Sequence, residues 1–80
     1  MRLPRDIDAQ NLIKALQHVG YRVIRQSGSH VRLTTDDPKS HSITVPNHSP
    51  LKLGTLSAIL ADVAAHLGTT KEALVDQLFN

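Results

Sequence analysis

Five histidines and no cysteine define where chemistry could reside in this chain of 80 residues. Without cysteine there is no thiolate nucleophile, no thiolate metal ligand and no disulfide. Imidazole, with an ordinary pKa of about 6.5, can take up and release a proton near neutral pH. His30 is set in a pattern suited to that work. Over residues 29–35 apolar and polar side chains alternate, so Val31 and Leu33 project to one side of a strand and His30, Arg32 and Thr34 to the other. A histidine beside an arginine pairs a proton-transfer group with a rigid fork of donors for anionic oxygens. His48 is the first candidate for a second acid or base, because a strand ending at Pro46 brings it toward the same sheet face. His41 falls in the turn before the third strand and is the weaker choice. His18 and His66 lie near helix C-termini, where a cation suits the dipole, and read as structural. A zinc site built from His30, His41 and His48 lacks close ligand spacing, so no metal and no cofactor is expected. Asp36-Asp37 reads as turn chemistry.

The elements that must position these residues follow from periodicity. Ala9, Leu12, Ile13, Leu16 and Val19 recur at helical spacing, which predicts a helix over 8–19 with Asp6 or Asp8 as its cap and Gly20 as its stop. Residues 21–26 are rich in β-formers, and Ser27-Gly28 supplies a tight turn into the alternating strand that bears His30. A turn-forming cluster at 36–40 leads to a third strand over 42–45, with Ile43 and Val45 inward and Ser42 and Thr44 outward. After a loop, Leu56, Ile59, Leu60, Val63 and Leu67 make the stripe of a second helix over 54–67, closed by Gly68. Thr69 and Glu72 read as a capping box that opens a third helix to about Phe79.

Short connections favour an antiparallel meander, so the expected fold is α+β: a two-layer α-β-β-β-α sandwich with an extra C-terminal helix. The helices should cover Val31, Leu33, Ile43 and Val45, leaving His30, Arg32, Thr34, Ser42 and Thr44 toward solvent. Eighty residues suffice for a single domain spanning 1–80. With 40% hydrophobic and 20% charged residues the composition is that of a globular protein, not a disordered one. No stretch approaches the roughly 18 apolar residues needed to span a bilayer, and the first ten residues carry no apolar run. A cytoplasmic location with no membrane partner is expected. The net charge of +2 is compatible with a polyanionic partner without requiring one.

Four landmarks in order, Gly20-Tyr21, Gly28-Ser29-His30, Val45-Pro46-Asn47-His48 and Gly54-Thr55-Leu56-Ser57-Ala58-Ile59-Leu60, resemble the HicA family of toxin–antitoxin systems over roughly residues 9–64. The resemblance implies a fold like that of double-stranded RNA-binding domains and ribonuclease activity on messenger RNA. It implies a HicB-type antitoxin partner that binds the toxin and blocks its active site, with DNA contacted only indirectly through that antitoxin. It also implies that His30, the histidine of Gly-Ser-His, is catalytic. Double-stranded RNA-binding domains grip phosphates with a lysine cluster at the start of the last helix. Lys52 stands alone there, so shape recognition of an A-form duplex is not expected.

RNA carries its own nucleophile, the 2′-hydroxyl. A metal-free ribonuclease needs a base for that proton, an acid for the leaving 5′-oxygen and cations near the phosphate. His30 suits the first or second role, and Arg25 and Arg32 suit the third. Gly28, Ser29 and Lys52 complete the expected substrate-binding set. The only aromatic residues besides histidine are Tyr21 and Phe79, and Tyr21 is expected in the core. Base stacking is thus scarce, and binding should rest on phosphate contacts that weaken with salt. The rival reading is a non-catalytic module that holds RNA or a protein partner through the same sheet face.

Overall fold

The computed structural model describes residues 7–48 and 50–79. The first apolar stripe forms α1 (Ala9–Gln17), with Ala9, Leu12, Ile13 and Leu16 buried. Asp8 caps it: its backbone is extended, and Oδ1 accepts the Asn11 N–H at 2.8 Å. The other candidate cap, Asp6, lies outside the described residues. The helix stops at Gln17, ahead of the expected end, although Val19 still packs on the core. Gly20, at φ +103°, then turns the chain into the sheet.

The strands β1 (Arg22–Ser27), β2 (His30–Thr35) and β3 (His41–Pro46) form one antiparallel sheet in the order β1-β2-β3. Ser27 pairs with His30, so the two turn residues are Gly28 and Ser29, one position later than the sequence suggested. The reason is conformational: the first central residue of such a hairpin needs positive φ, and Gly28 has φ +56°. His41 pairs with Thr35 as the first residue of β3, correcting its expected place in the preceding turn. Pro46 is the last residue of β3, on a sheet edge where a missing N–H costs no ladder bond.

The meander buries its inward pairs, Val31 with Val45 and Leu33 with Ile43. Leu12 and Leu16 of α1 and Leu56, Leu60 and Val63 of α2 (Leu53–Leu67) belong to the same cluster, which makes the α+β layering expected from the periodicity. Gly68 ends α2 at φ +71°, and Thr69 N–H closes the last turn on Ala64 O at 2.9 Å. The cap of α3 (Lys71–Phe79) is therefore Thr70, not Thr69. Thr70 O accepts the Leu74 N–H at 3.0 Å and its Oγ1 accepts the Ala73 N–H at 3.1 Å. Glu72 is then only two residues past the cap, and the expected capping box does not form.

Candidate active site on the outer sheet face

Directly opposed residues in an antiparallel sheet project to the same face. The register thus sorts the outer face into three ranks: Ser27, His30 and Pro46; Arg25, Arg32 and Thr44; Arg22, Thr34 and Ser42. His30 and Arg32 are exposed, as the alternation required. Thr34 is not: only 9% of it is accessible. It donates to His41 O at 3.1 Å and accepts from Ser42 Oγ at 3.0 Å, a hydroxyl pair lying flat on the sheet. The polar face is open at the His30 end; in the third rank Thr34 is covered while Arg22 stays exposed.

Arg25 reaches this face through a β-bulge. Val23 pairs with Leu33, but the next pair is Arg25 with Arg32, leaving Ile24 as the extra residue. With uninterrupted alternation Ile24 would oppose Arg32, and Arg25 would oppose inward-facing Val31. The bulge puts two guanidinium groups on adjacent strands of one rank. Arg32 Nη1 donates to Thr44 Oγ1 at 2.8 Å. Arg22 is held differently, in an exposed ion pair with Asp36 at 3.1 Å. Among the described residues no carboxylate pairs with Arg25 or Arg32.

The Gly28-Ser29 turn borders the His30 rank. Asn47 N–H donates to Ser29 O at 2.6 Å, tying the chain after β3 to that turn. His48 follows immediately: its N–H donates to Pro46 O at 2.9 Å, and its carbonyl accepts the Ala9 N–H at 3.1 Å. The structure thus brings exposed His48 to the same end of the sheet as His30, between the end of β3 and the start of α1. Lys52 is exposed at the start of α2 and belongs to none of the three ranks.

His41 lies at the opposite end of the meander, paired with Thr35, so His30, His41 and His48 are not gathered into one site. It joins a cluster that sequence spacing gave no sign of. His41 Nδ1 lies 2.8 Å from Tyr21 Oη and Nε2 lies 3.2 Å from Asp62 Oδ1. Because a carboxylate only accepts, the neutral ring carries its proton on Nε2 and Nδ1 accepts the tyrosine hydroxyl. His66 stacks on His41 with ring centroids 4.4 Å apart, and its Nε2 lies 3.3 Å from Asp37 O. Burial, assisted by the negative charge of Asp62, pushes the Tyr21 hydroxyl up to about 12. These groups tie the residue just before β1 to β3 and α2 through side chains.

An exposed imidazole one rank from two guanidinium groups can exchange a proton with a substrate whose negative charge those groups stabilise. A family model described as HicA toxin of bacterial toxin–antitoxin matches residues 9–64, which include all three strands, His30 and His48. No curated protein and no solved structure matches the chain.

Proposed function

The chain belongs to the HicA family of toxins from bacterial toxin–antitoxin systems, and from that premise we propose that it is a metal-independent endoribonuclease that cleaves messenger RNA in the cytoplasm, with His30 as its catalytic residue. The observation that carries this reading is the placement of His30. It is exposed at the open end of the outer face, next to the rank that holds Arg25 and Arg32.

In the proposed reaction the ribose 2′-oxygen attacks the adjacent phosphorus as its proton passes to a base. The bond to the 5′-oxygen breaks as that oxygen receives a proton from an acid. The products are a 2′,3′-cyclic phosphate and a 5′-hydroxyl. His30 fills one of the two proton-transfer roles. His48, fixed by its backbone at the same end of the sheet, is the candidate for the other. Arg25 and Arg32 offset the charge that grows on the non-bridging oxygens. Gly28 and Ser29 border the His30 rank, so a bound strand would pass over their turn. Lys52 would meet RNA only beyond the sheet face. A fold like that of double-stranded RNA-binding domains is part of the reading. A HicB-type antitoxin would silence the enzyme by covering His30, and any contact with DNA would be made by that antitoxin.

The test is cleavage of RNA by the purified protein in chelator, with analysis of the product ends. His30→Ala should slow cleavage by roughly 10²- to 10⁴-fold, the usual worth of a positioned acid or base. Its thermal unfolding should be unchanged, because the side chain is exposed. Products ending in 3′-hydroxyl and 5′-phosphate would exclude the 2′-hydroxyl route. RNA binding without cleavage in the wild type would favour a non-catalytic module.

A further inference from the structure

We propose that Thr44 is a positioning residue that completes a seat for one phosphodiester oxyanion together with Arg25 and Arg32. The inference rests on the nucleic-acid reading above and extends it to a residue outside the charged set.

Three observations converge on the middle rank of the outer face. First, Arg25, Arg32 and Thr44 stand side by side on three adjacent strands. Neighbouring strands lie about 4.8 Å apart, so the three side chains span a width that one phosphate can bridge. Second, Thr44 Oγ1 accepts from Arg32 Nη1 at 2.8 Å. That bond spends one of five guanidinium N–H donors to hold the planar group in place; among the described residues the other donors have no hydrogen-bond partner, which leaves them for a bidentate contact. A free arginine would have to lose its rotamer freedom on binding; one already tied to the sheet loses less. Third, the Thr44 hydroxyl hydrogen is not used in that bond. A hydroxyl that accepts from a cation and donates to an anion links the two in one cooperative chain.

Charge supports the same assignment. Like charges placed directly opposite on a sheet repel, and the ion pair that Asp36 makes is with Arg22, not with Arg25 or Arg32. The Arg25–Arg32 pair is therefore a cationic position that an anion would relieve. His30 lies two residues along β2 from Arg32, on the same face and about 6.7 Å away along the strand. A phosphate in the seat would thus sit beside the imidazole, leaving the ring free to act on an adjoining ribose.

The experiment measures affinity for a short 2′-O-methyl RNA, which binds through its phosphates but lacks the nucleophile, by fluorescence anisotropy at low salt. Thr44→Val should bind about three- to tenfold more weakly, the range of one lost hydrogen bond. Thr44→Ser, which keeps the hydroxyl, should stay within about twofold of wild type. The double variant Arg32→Ala/Thr44→Val should lose less affinity than the product of the two single losses, because part of the Thr44 effect passes through Arg32. Multiplying losses, unchanged binding in Thr44→Val, an equal loss in Thr44→Ser or no binding by the wild type would each overturn the seat. Wild type that binds this oligonucleotide but leaves ordinary RNA intact would overturn the nuclease reading while the seat stands. Wild type that cleaves RNA with Thr44→Val binding normally would overturn the seat alone.

Discussion

Arg25 on β1 stands directly opposite Arg32 on β2, two like charges on one rank of a small sheet with no carboxylate paired to either among the described residues. Such an arrangement costs stability, since like charges at opposed positions destabilise an antiparallel pair. An anionic ligand would reverse that cost.

A trade between stability and binding follows. Arg25→Gln should stabilise the fold by about 0.2–1 kcal/mol, measured by urea unfolding at low salt. The same variant should bind RNA more weakly and lower the slope of log affinity against log salt by about one phosphate contact. A destabilised Arg25→Gln protein would show that Arg25 is held by favourable contacts and is not waiting for an anion.

Tyr21 predicts the alkaline limit of the fold. Its hydroxyl, 2% accessible as a residue, titrates at about 12 in the native state against 10.0 ordinarily. The unfolded chain therefore loses its proton first, and between those values the native state binds more protons. Stability from this group is fully present below pH 10 and falls as pH rises toward 12. Tyr21→Phe should be about 1 kcal/mol less stable at pH 7, because His41 Nδ1 loses its partner. It should also lack that alkaline decline, so the two stability–pH curves should cross.

The two threonines before α3 should behave differently although they are adjacent. Thr70→Ala removes the side chain that accepts the Ala73 N–H and should cost about 1 kcal/mol. Thr69→Ala leaves its backbone bond to Ala64 intact and should change stability by less than about 0.5 kcal/mol. Chemical denaturation of the two variants settles which residue caps the helix.

Gly28 offers a test of backbone conformation alone. A Cβ there would meet nothing within 4 Å, so any cost of Gly28→Ala comes from φ +56°. About 1–2 kcal/mol is expected, with Gly28→Asn closer to wild type because asparagine tolerates the left-handed region. If alanine were accepted without loss, the hairpin would have adopted another turn and moved His30 out of register with Ser27.

Much of this was legible in the residues themselves. Ala9, Leu12, Ile13 and Leu16 marked α1, and Leu56, Ile59, Leu60 and Val63 marked α2, because a helix repeats its buried face over neighbours three and four apart. Val31 and Leu33 on one side with His30 and Arg32 on the other followed from the two-residue repeat of an unbroken strand. Gly68 announced the end of α2, and the start of α1 was narrowed to a cap at Asp6 or Asp8, through local backbone chemistry. All of these are short-range properties, and a short window of sequence contains them.

Other features depend on what lies across the fold. Alternation along β1 would have turned Arg25 toward the helices; the bulge that turns it outward exists only relative to the ladder with β2. Thr34 alternates like its exposed neighbours, yet Ser42 and the His41 carbonyl cover it. The Tyr21–His41–Asp62 chain joins residues 20 and 21 positions apart that no spacing rule connects. Sequence by itself determined which segments are helix and strand and which faces are apolar, because those follow from each residue's own backbone preferences and near neighbours. Only the tertiary structure decided which polar side chains meet, because hydrogen-bond register is set between segments and one inserted residue reverses the face of all that follow.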